Sequence, residues 1–356
     1  MPFTENTYEN SIVQLLEGLG YRHVYGPDLP DRDYESPLYE GELEESLRRI
    51  NPSLKEEAIQ DALNKLHHFE NADLIQKNKL FMDYLQNGLP VRYRENGESK
   101  SDICYLVDYD HPERNSFVVA NQWTFVERSN KRPDILIFLN GFPVVLMELK
   151  SPSREETNAS EAYSQIRNYI HEIPSMFIYN AFCVMSDLLL SKAGTITSDE
   201  ERFMEWKSKD GTYATDRVAT FDVFFEGIFP KERLLDIIRN FICFSNEGIK
   251  TYKIMAAYHQ YFAVNKAIKS TEKAVATDGK GGVFWHTQGS GKSLTMVLLA
   301  QSIAQAKKEI KNSRIVMVTD RTDLDDQITT TFKKCGREVM NATTGHNLMK
   351  LLESKT

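Results

Sequence analysis

Four cysteines in 356 residues, Cys104, Cys183, Cys243 and Cys335, are scattered and form no Cys-x-x-Cys pair. That argues against zinc and for reduced thiols in a cytoplasmic protein. The N-terminus, Met-Pro-Phe-Thr-Glu-Asn, has no basic stretch leading into an apolar one, so no secretory signal is visible. No apolar run approaches the ~20 residues needed to span a bilayer, so no membrane partner is expected. Positive charge is not in excess either. A net charge of -8 removes non-specific attraction to nucleic acid as a property of the whole chain, and any DNA contact must come from local patches. Repeats and low-complexity tracts are also missing. What remains is an ordinary globular composition at a length suited to two domains.

The strongest positive signal is Val283-Phe-Trp-His-Thr-Gln-Gly-Ser-Gly-Lys-Ser293, an apolar run entering a glycine-rich loop that ends in Gly-Lys-Ser. Backbone N–H groups of Gly289, Ser290 and Gly291 can curl around a phosphate, because glycine accepts positive φ and lets the backbone approach closely. Lys292 would reach the β- and γ-phosphates of ATP, and the Ser293 hydroxyl would ligate Mg²⁺. The helix expected to start there adds its positive dipole end. The full pattern wants Gly where His286 stands. A plain Gly-Ser turn is the bland alternative. It explains neither the apolar run before the loop nor the helical spacing of Leu294, Val297, Leu298 and Ile303 after it.

Upstream, residues 7–19 have the spacing of an amphipathic helix that Gly20 stops, and 40–86 is helical with breaks. Residues 91–126 turn strand-rich. Two apolar runs, 134–139 and 143–149, flank Asn140-Gly141, a strong hairpin signal. A helix is expected over 155–172, a strand over 177–185, a helix from about Glu232 to Phe241, and another over 252–268. Ile315-Val-Met-Val-Thr319 has the composition of a buried parallel strand, and strand, loop, helix, strand opens a doubly wound α/β domain. The domain boundary falls near residue 250.

The hairpin also carries charge. Asp134 follows Pro133, and thirteen residues separate Asp134 from Glu148-Leu149-Lys150. Phosphodiester hydrolysis needs hard oxygen ligands for Mg²⁺ and a cation to stabilise charge on the phosphate. Asp134 and Glu148 supply the first, and Lys150 leaves its strand on the same face as Glu148. A two-residue turn at Asn140-Gly141 would send the two acids to opposite faces. A three-residue turn with Gly141 left-handed, or an equivalent bulge, would bring them together, and that geometry is expected. Gln165 and Tyr169 share a face of the next helix at i, i+4. The alternatives are a charged hairpin edge and a surface Gln beside a core Tyr.

Together, Arg132-Pro-Asp134 through Glu148-Leu-Lys-Ser-Pro152, Gln165-x-x-x-Tyr169, His286 through Ser293, and Val318-Thr-Asp-Arg-Thr-Asp-Leu-Asp-Asp-Gln327 resemble the motor (R) subunit of type I restriction-modification enzymes. The resemblance implies an α/β architecture: a RecB-like PD-(D/E)xK endonuclease domain over 1–250, then the start of a RecA-like superfamily 2 motor over 251–356. It implies Mg²⁺ and ATP as cofactors, double-stranded DNA as substrate, and methyltransferase (M) and specificity (S) subunits as partners. Cutting would follow ATP-driven translocation away from the recognition site. By position, it makes Asp134, Glu148 and Lys150 the nuclease core, with Gln165 and Tyr169 in support. Glu9 matches an acid that often completes such sites, with Glu5 a rival. Gln260 matches the adenine-reading glutamine of these motors, while Asp320-Arg321 and Gln327 match a DNA-contacting segment. Ile315–Asp320 has the look of a Walker B strand but follows Lys292 too closely to be one. With the sequence ending at Thr356 after about half a motor domain, the expectation is a truncated piece that binds ATP without hydrolysing it or translocating. The competing readings are a stand-alone nuclease–helicase of DNA repair or phage defence, and a non-enzymatic module with structural hairpin carboxylates.

Overall fold

A computed structural model describes residues 5–29, 31–70, 73–150, 159–187, 189–212, 221–305, 310 and 313–354. The side chain of Glu5 lies outside the described residues. In chain order the elements are α1 (Glu5–Gly18), β1 (Arg22–Tyr25), α2 (Glu40–Ile50), α3 (Glu56–His67), α4 (Leu74–Asn87), β2 (Leu89–Glu95), β3 (Glu98–Cys104), β4 (Phe117–Asn121), β5 (Phe125–Val126), β6 (Asn130–Lys131), β7 (Ile135–Leu139) and β8 (Phe142–Leu149). Then come α5 (Ala159–Glu172), β9 (Phe182–Ser186), β10 (Ser191–Gly194), α6 (Phe221–Ile228), α7 (Lys231–Asn240), β11 (Ile242–Glu247), β12 (Lys250–Met255), α8 (Tyr258–Ala276), α9 (Lys292–Gln305), α10 (Thr322–Lys334) and α11 (Gly345–Glu353). The chain divides into two compact units, one of residues 1–243 and 253–266, the other of 244–252 and 267–356.

The first unit is built on a six-stranded mixed sheet in the order β1-β4-β7-β8-β9-β10. The β1–β4 and β8–β9 pairs are parallel and the others antiparallel. Every residue of β4, β7, β8 and β9 is buried, the continuous apolar pattern of a sheet covered on both faces. One face carries Val118, Ala120, Leu136, Phe138, Leu146, Cys183 and Met185, packed with Ala162, Ile166 and Tyr169 of α5. The other receives α1, whose Tyr8, Ile12, Val13 and Leu16 are buried at helical spacing.

Of the two expected geometries, the β7–β8 hairpin takes the bulge and not the three-residue turn. Leu139 pairs with Phe142, so the turn is the two-residue Asn140-Gly141, with φ of 51° and 85°. Those angles suit a type I′ turn, which matches the strand twist. Asn140 is locked there: its Oδ1 accepts the Ser116 N–H at 2.7 Å, and its Nδ2 donates to Leu106 O at 2.9 Å. The odd residue lies inside β8. Phe138 pairs with Pro143 but Ile137 with Val145, which leaves Val144 as a bulge. Pro143 has no N–H to give the ladder, so a bulge beside it sacrifices little.

Two helix and strand expectations also shift. The strand expected over 177–185 is found as β9 over 182–186, and residues 174–178 form a 3₁₀ turn, with the buried Asn78 Nδ2 donating to the carbonyls of Phe177, Ile178 and Asn180 at 3.1, 3.0 and 2.8 Å. Residues 250–255 are β12, not helix, and α8 starts only at Tyr258. In the second unit, α9 and α10 pack through Val297, Ile328 and Phe332. The expected strands around 283–285 and 315–319 are not formed. Val283 is 97% exposed and Val318 91%. A parallel strand needs a neighbour on each side for its backbone groups. Among the described residues no strand follows Met255 to provide one.

Two outcomes follow from the first unit. Gly141 sits at φ 85° with Leu43 N only 2.6 Å from where a Cβ would stand. Gly141→Ala should therefore lower stability by about 2–4 kcal/mol in urea unfolding; a loss below ~0.5 kcal/mol would contradict the strain. Lys253 is buried, with its Nζ donating to Asn180 O at 2.6 Å. Burial pushes its pKa from 10.5 down to about 7. The folded state thus binds fewer protons than the unfolded state between those values, so stability should rise with pH across that window. Lys253→Met should flatten the rise, as read from melting temperature against pH.

Candidate active site

Continuing the Ile135–Met147 pairing by one residue sets Asp134 opposite Glu148, both on the sheet face that α5 covers. Asp134 Oδ2 accepts the Leu149 N–H at 2.7 Å. Lys150 Nζ donates to Glu148 Oε1 at 2.6 Å, and its own N–H donates to Ser186 O at 2.9 Å. The Glu148 side chain is 4% exposed and that of Lys150 19%. Few carboxylates are buried so deeply without a charged partner.

From α5, Tyr169 reaches the same acids. Burial pushes its hydroxyl well above the usual range, and the Glu148 charge adds to this. Lys150, Ser160, Glu161, Ser164 and Gln165 line an open cleft of about 490 Å³ beside this cluster. The structure therefore brings together Asp134, Glu148, Lys150, Gln165 and Tyr169. Ser160, Glu161 and Ser164 were not legible as cleft residues. Glu161 stands one turn before Gln165, but that spacing alone does not single it out.

Glu9 stands elsewhere. It is 4% exposed on α1, and both its oxygens take amide hydrogens, from Asn121 Nδ2 at 2.6 Å and Gln122 Nε2 at 2.9 Å. Among the described residues, no three Asp, Glu, His or Cys side chains converge as a metal cage would require.

Gln260, in the first unit, is 4% exposed, and its Oε1 accepts the Ala257 N–H at 3.0 Å, as in a helix capping box. The glycine-rich loop belongs to the second unit. Gly289 and Gly291 hold φ of 83° and 78°. α9 begins at Lys292, so Ser293 lies in its first turn. Lys292 Nζ folds back onto the carbonyls of His286 and Thr287 at 3.1 and 2.9 Å. Downstream, Arg321 pairs with Asp323 at 2.6 Å at the start of α10.

Residues 2–202 match the family described as type I restriction enzyme R protein N terminus, and residues 259–356 match the SWI2/SNF2 ATPase family. The chain belongs to the type I restriction enzyme R protein family. It is 37% identical to the type I restriction enzyme HindI endonuclease subunit of Haemophilus influenzae, over 95% of this chain and 33% of that protein. It is 30% identical to the putative type I restriction enzyme MjaIXP endonuclease subunit of Methanocaldococcus jannaschii, over 97% of this chain and 35% of that protein. The chain thus spans about a third of the length of these relatives. The Asp134–Glu148–Lys150 cluster lies within the R-protein match, and the glycine-rich loop lies within the ATPase match. No helix among the described residues is long and apolar enough to cross a membrane.

In this R-family chain the Glu148–Lys150 pair gives a direct stability test. Lys150→Met leaves a buried carboxylate uncompensated and should destabilise by about 3 kcal/mol. Adding Glu148→Gln should recover part of that loss. Strict additivity of the two changes in a double-mutant cycle would show that the pair is not coupled.

Proposed function

We propose that this chain carries a Mg²⁺-dependent endodeoxyribonuclease site of the PD-(D/E)xK type, in a RecB-like domain over about 1–250. We further propose that it is joined to the opening of a RecA-like, ATP-driven duplex-DNA motor. The supporting observation is the bulged hairpin that sets Asp134 opposite Glu148, with Lys150 beside them. The donor set suits the ion: two hard carboxylates and no His or Cys, which fits Mg²⁺, an ion that keeps waters and shares substrate oxygens, better than a closed zinc cage.

Asp134 and Glu148 would hold the metal. When bound, Mg²⁺ supplies a water of lowered pKa and neutralises phosphate charge. The remaining chemistry belongs to side chains of this chain. The Lys150 ammonium stabilises charge developing on the scissile phosphate. The Tyr169 hydroxyl, oriented by Gln165, holds the Glu148 carboxylate in place. The cleft along α5 admits the DNA backbone.

Gly289, Ser290 and Gly291 would cradle the ATP phosphates, Lys292 would supply a cation to them, and Ser293 would help hold the nucleotide's Mg²⁺. Gln260 reads adenine, and the motor start is placed from about 251. In the complete protein, the partners are M and S subunits and double-stranded DNA. Translocation precedes cutting, which falls away from the recognition site.

In the complete R subunit assembled with its partners, Asp134→Ala or Lys150→Ala should abolish cleavage of unmodified plasmid and leave ATP hydrolysis intact. Lys292→Ala should abolish both. The 356-residue chain alone should show no DNA-stimulated ATPase. Normal cutting by the Lys292 variant would sink the coupling, and normal cutting by the Asp134 variant would sink the site.

A further inference from the structure

We propose that Asn121 and Gln122 are positioning residues for the metal-holding pair, and that Glu9 acts on that pair through them rather than as a third ligand. This rests on the nuclease reading above. Asn121 ends β4 and pairs with Ile135, so it shares Ile135's face, opposite to that of Asp134. Glu9 meets it there from α1. Asn121 and Glu9 are both 4% exposed, and their hydrogen bond is 2.6 Å long. His23 Nε2 lies 2.8 Å from Asn121 Oδ1. As donor there, the imidazole fixes which end of the carboxamide faces Glu9.

Gln122 carries the connection across the sheet end. Its side chain donates to Glu9 Oε2 at 2.9 Å, and its backbone N–H donates to Asp134 O at 3.3 Å. To do both, it holds a φ of 53°, the left-handed region that non-glycine residues avoid. Its carbonyl is pressed against Gly26, where a Cβ would come within 2.6 Å. A buried carboxylate therefore holds two adjacent amides, and the second of these fixes the backbone of Asp134 from behind. Glu9 joins no three-acid cluster among the described residues, which is what an indirect role requires.

The test is calorimetric titration of the 356-residue chain with Mn²⁺, which carboxylate sites bind more tightly than Mg²⁺. Gln122→Ala and Gln122→Gly should each weaken Mn²⁺ binding about tenfold, the lower end of what loss of such outer contacts costs. Glu9→Gln should do the same, whereas Asp134→Ala should lose binding altogether. In the assembled enzyme, excess metal should restore cleavage to the Gln122 variants but not to Asp134→Ala. The glycine variant tolerates the backbone angle, so it guards against a fold defect in the alanine variant. Wild-type affinity in Gln122→Gly, or Glu9→Gln losing the ion as fully as Asp134→Ala, would overturn the proposal. Unchanged binding in Asp134→Ala, or none in the wild type, would instead overturn the nuclease reading.

Discussion

One extra residue in β8, Val144, decides which way Glu148 faces. Side chains alternate along a strand, so a single inserted residue exchanges the two faces for everything beyond it. Without it, the tight Asn140-Gly141 turn would leave Asp134 and Glu148 on opposite sides of a buried sheet. The Val144 carbonyl is not wasted, since it accepts the Ala181 N–H at 2.7 Å just before β9. The bulge is therefore tied to the neighbouring strand as well as to its own hairpin. The ion pair, the tyrosine contact and the cleft all presuppose that face assignment.

The two faces of the sheet divide the polar work. The α5 face is apolar through Leu136, Phe138 and Leu146 and turns polar only at its end, where Asp134, Glu148 and Lys150 meet Tyr169. The α1 face carries a second buried acid, Glu9, whose two oxygens accept from the Asn121 and Gln122 amides. Burying Glu9 and Glu148 and half-burying Asp134 at one end of an apolar sheet is costly, and each is supplied with donors.

Much of this was legible in advance because chemistry-bearing residues lay at spacings that a strand or helix period enforces. Glu148 and Lys150 are two apart, and Gln165 and Tyr169 four apart, so each pair shares a face whatever the rest of the fold does. The position of the bulge was not legible, because Asn-Gly suits a two-residue turn and nothing local counts residues across the hairpin. Pro143 was the available clue. The Gln122 link was invisible, since it depends on three segments meeting. The 283–285 and 315–319 runs misled for a related reason. Apolar β-branched composition predicts a buried strand only when other strands lie alongside, and composition cannot supply the neighbours.

Asp134 and Glu148 sit at one end of the sheet's two central strands, with β4 on one side of their hairpin and β9 on the other. Separating these acids would mean tearing a ladder between two buried strands, a cost on the scale of unfolding rather than of a loop motion. If the proposed nuclease reading holds, such a site would not be switched off by pulling Asp134 and Glu148 apart, and restraint would operate on supply: what brings a phosphodiester to the cleft along α5, and when.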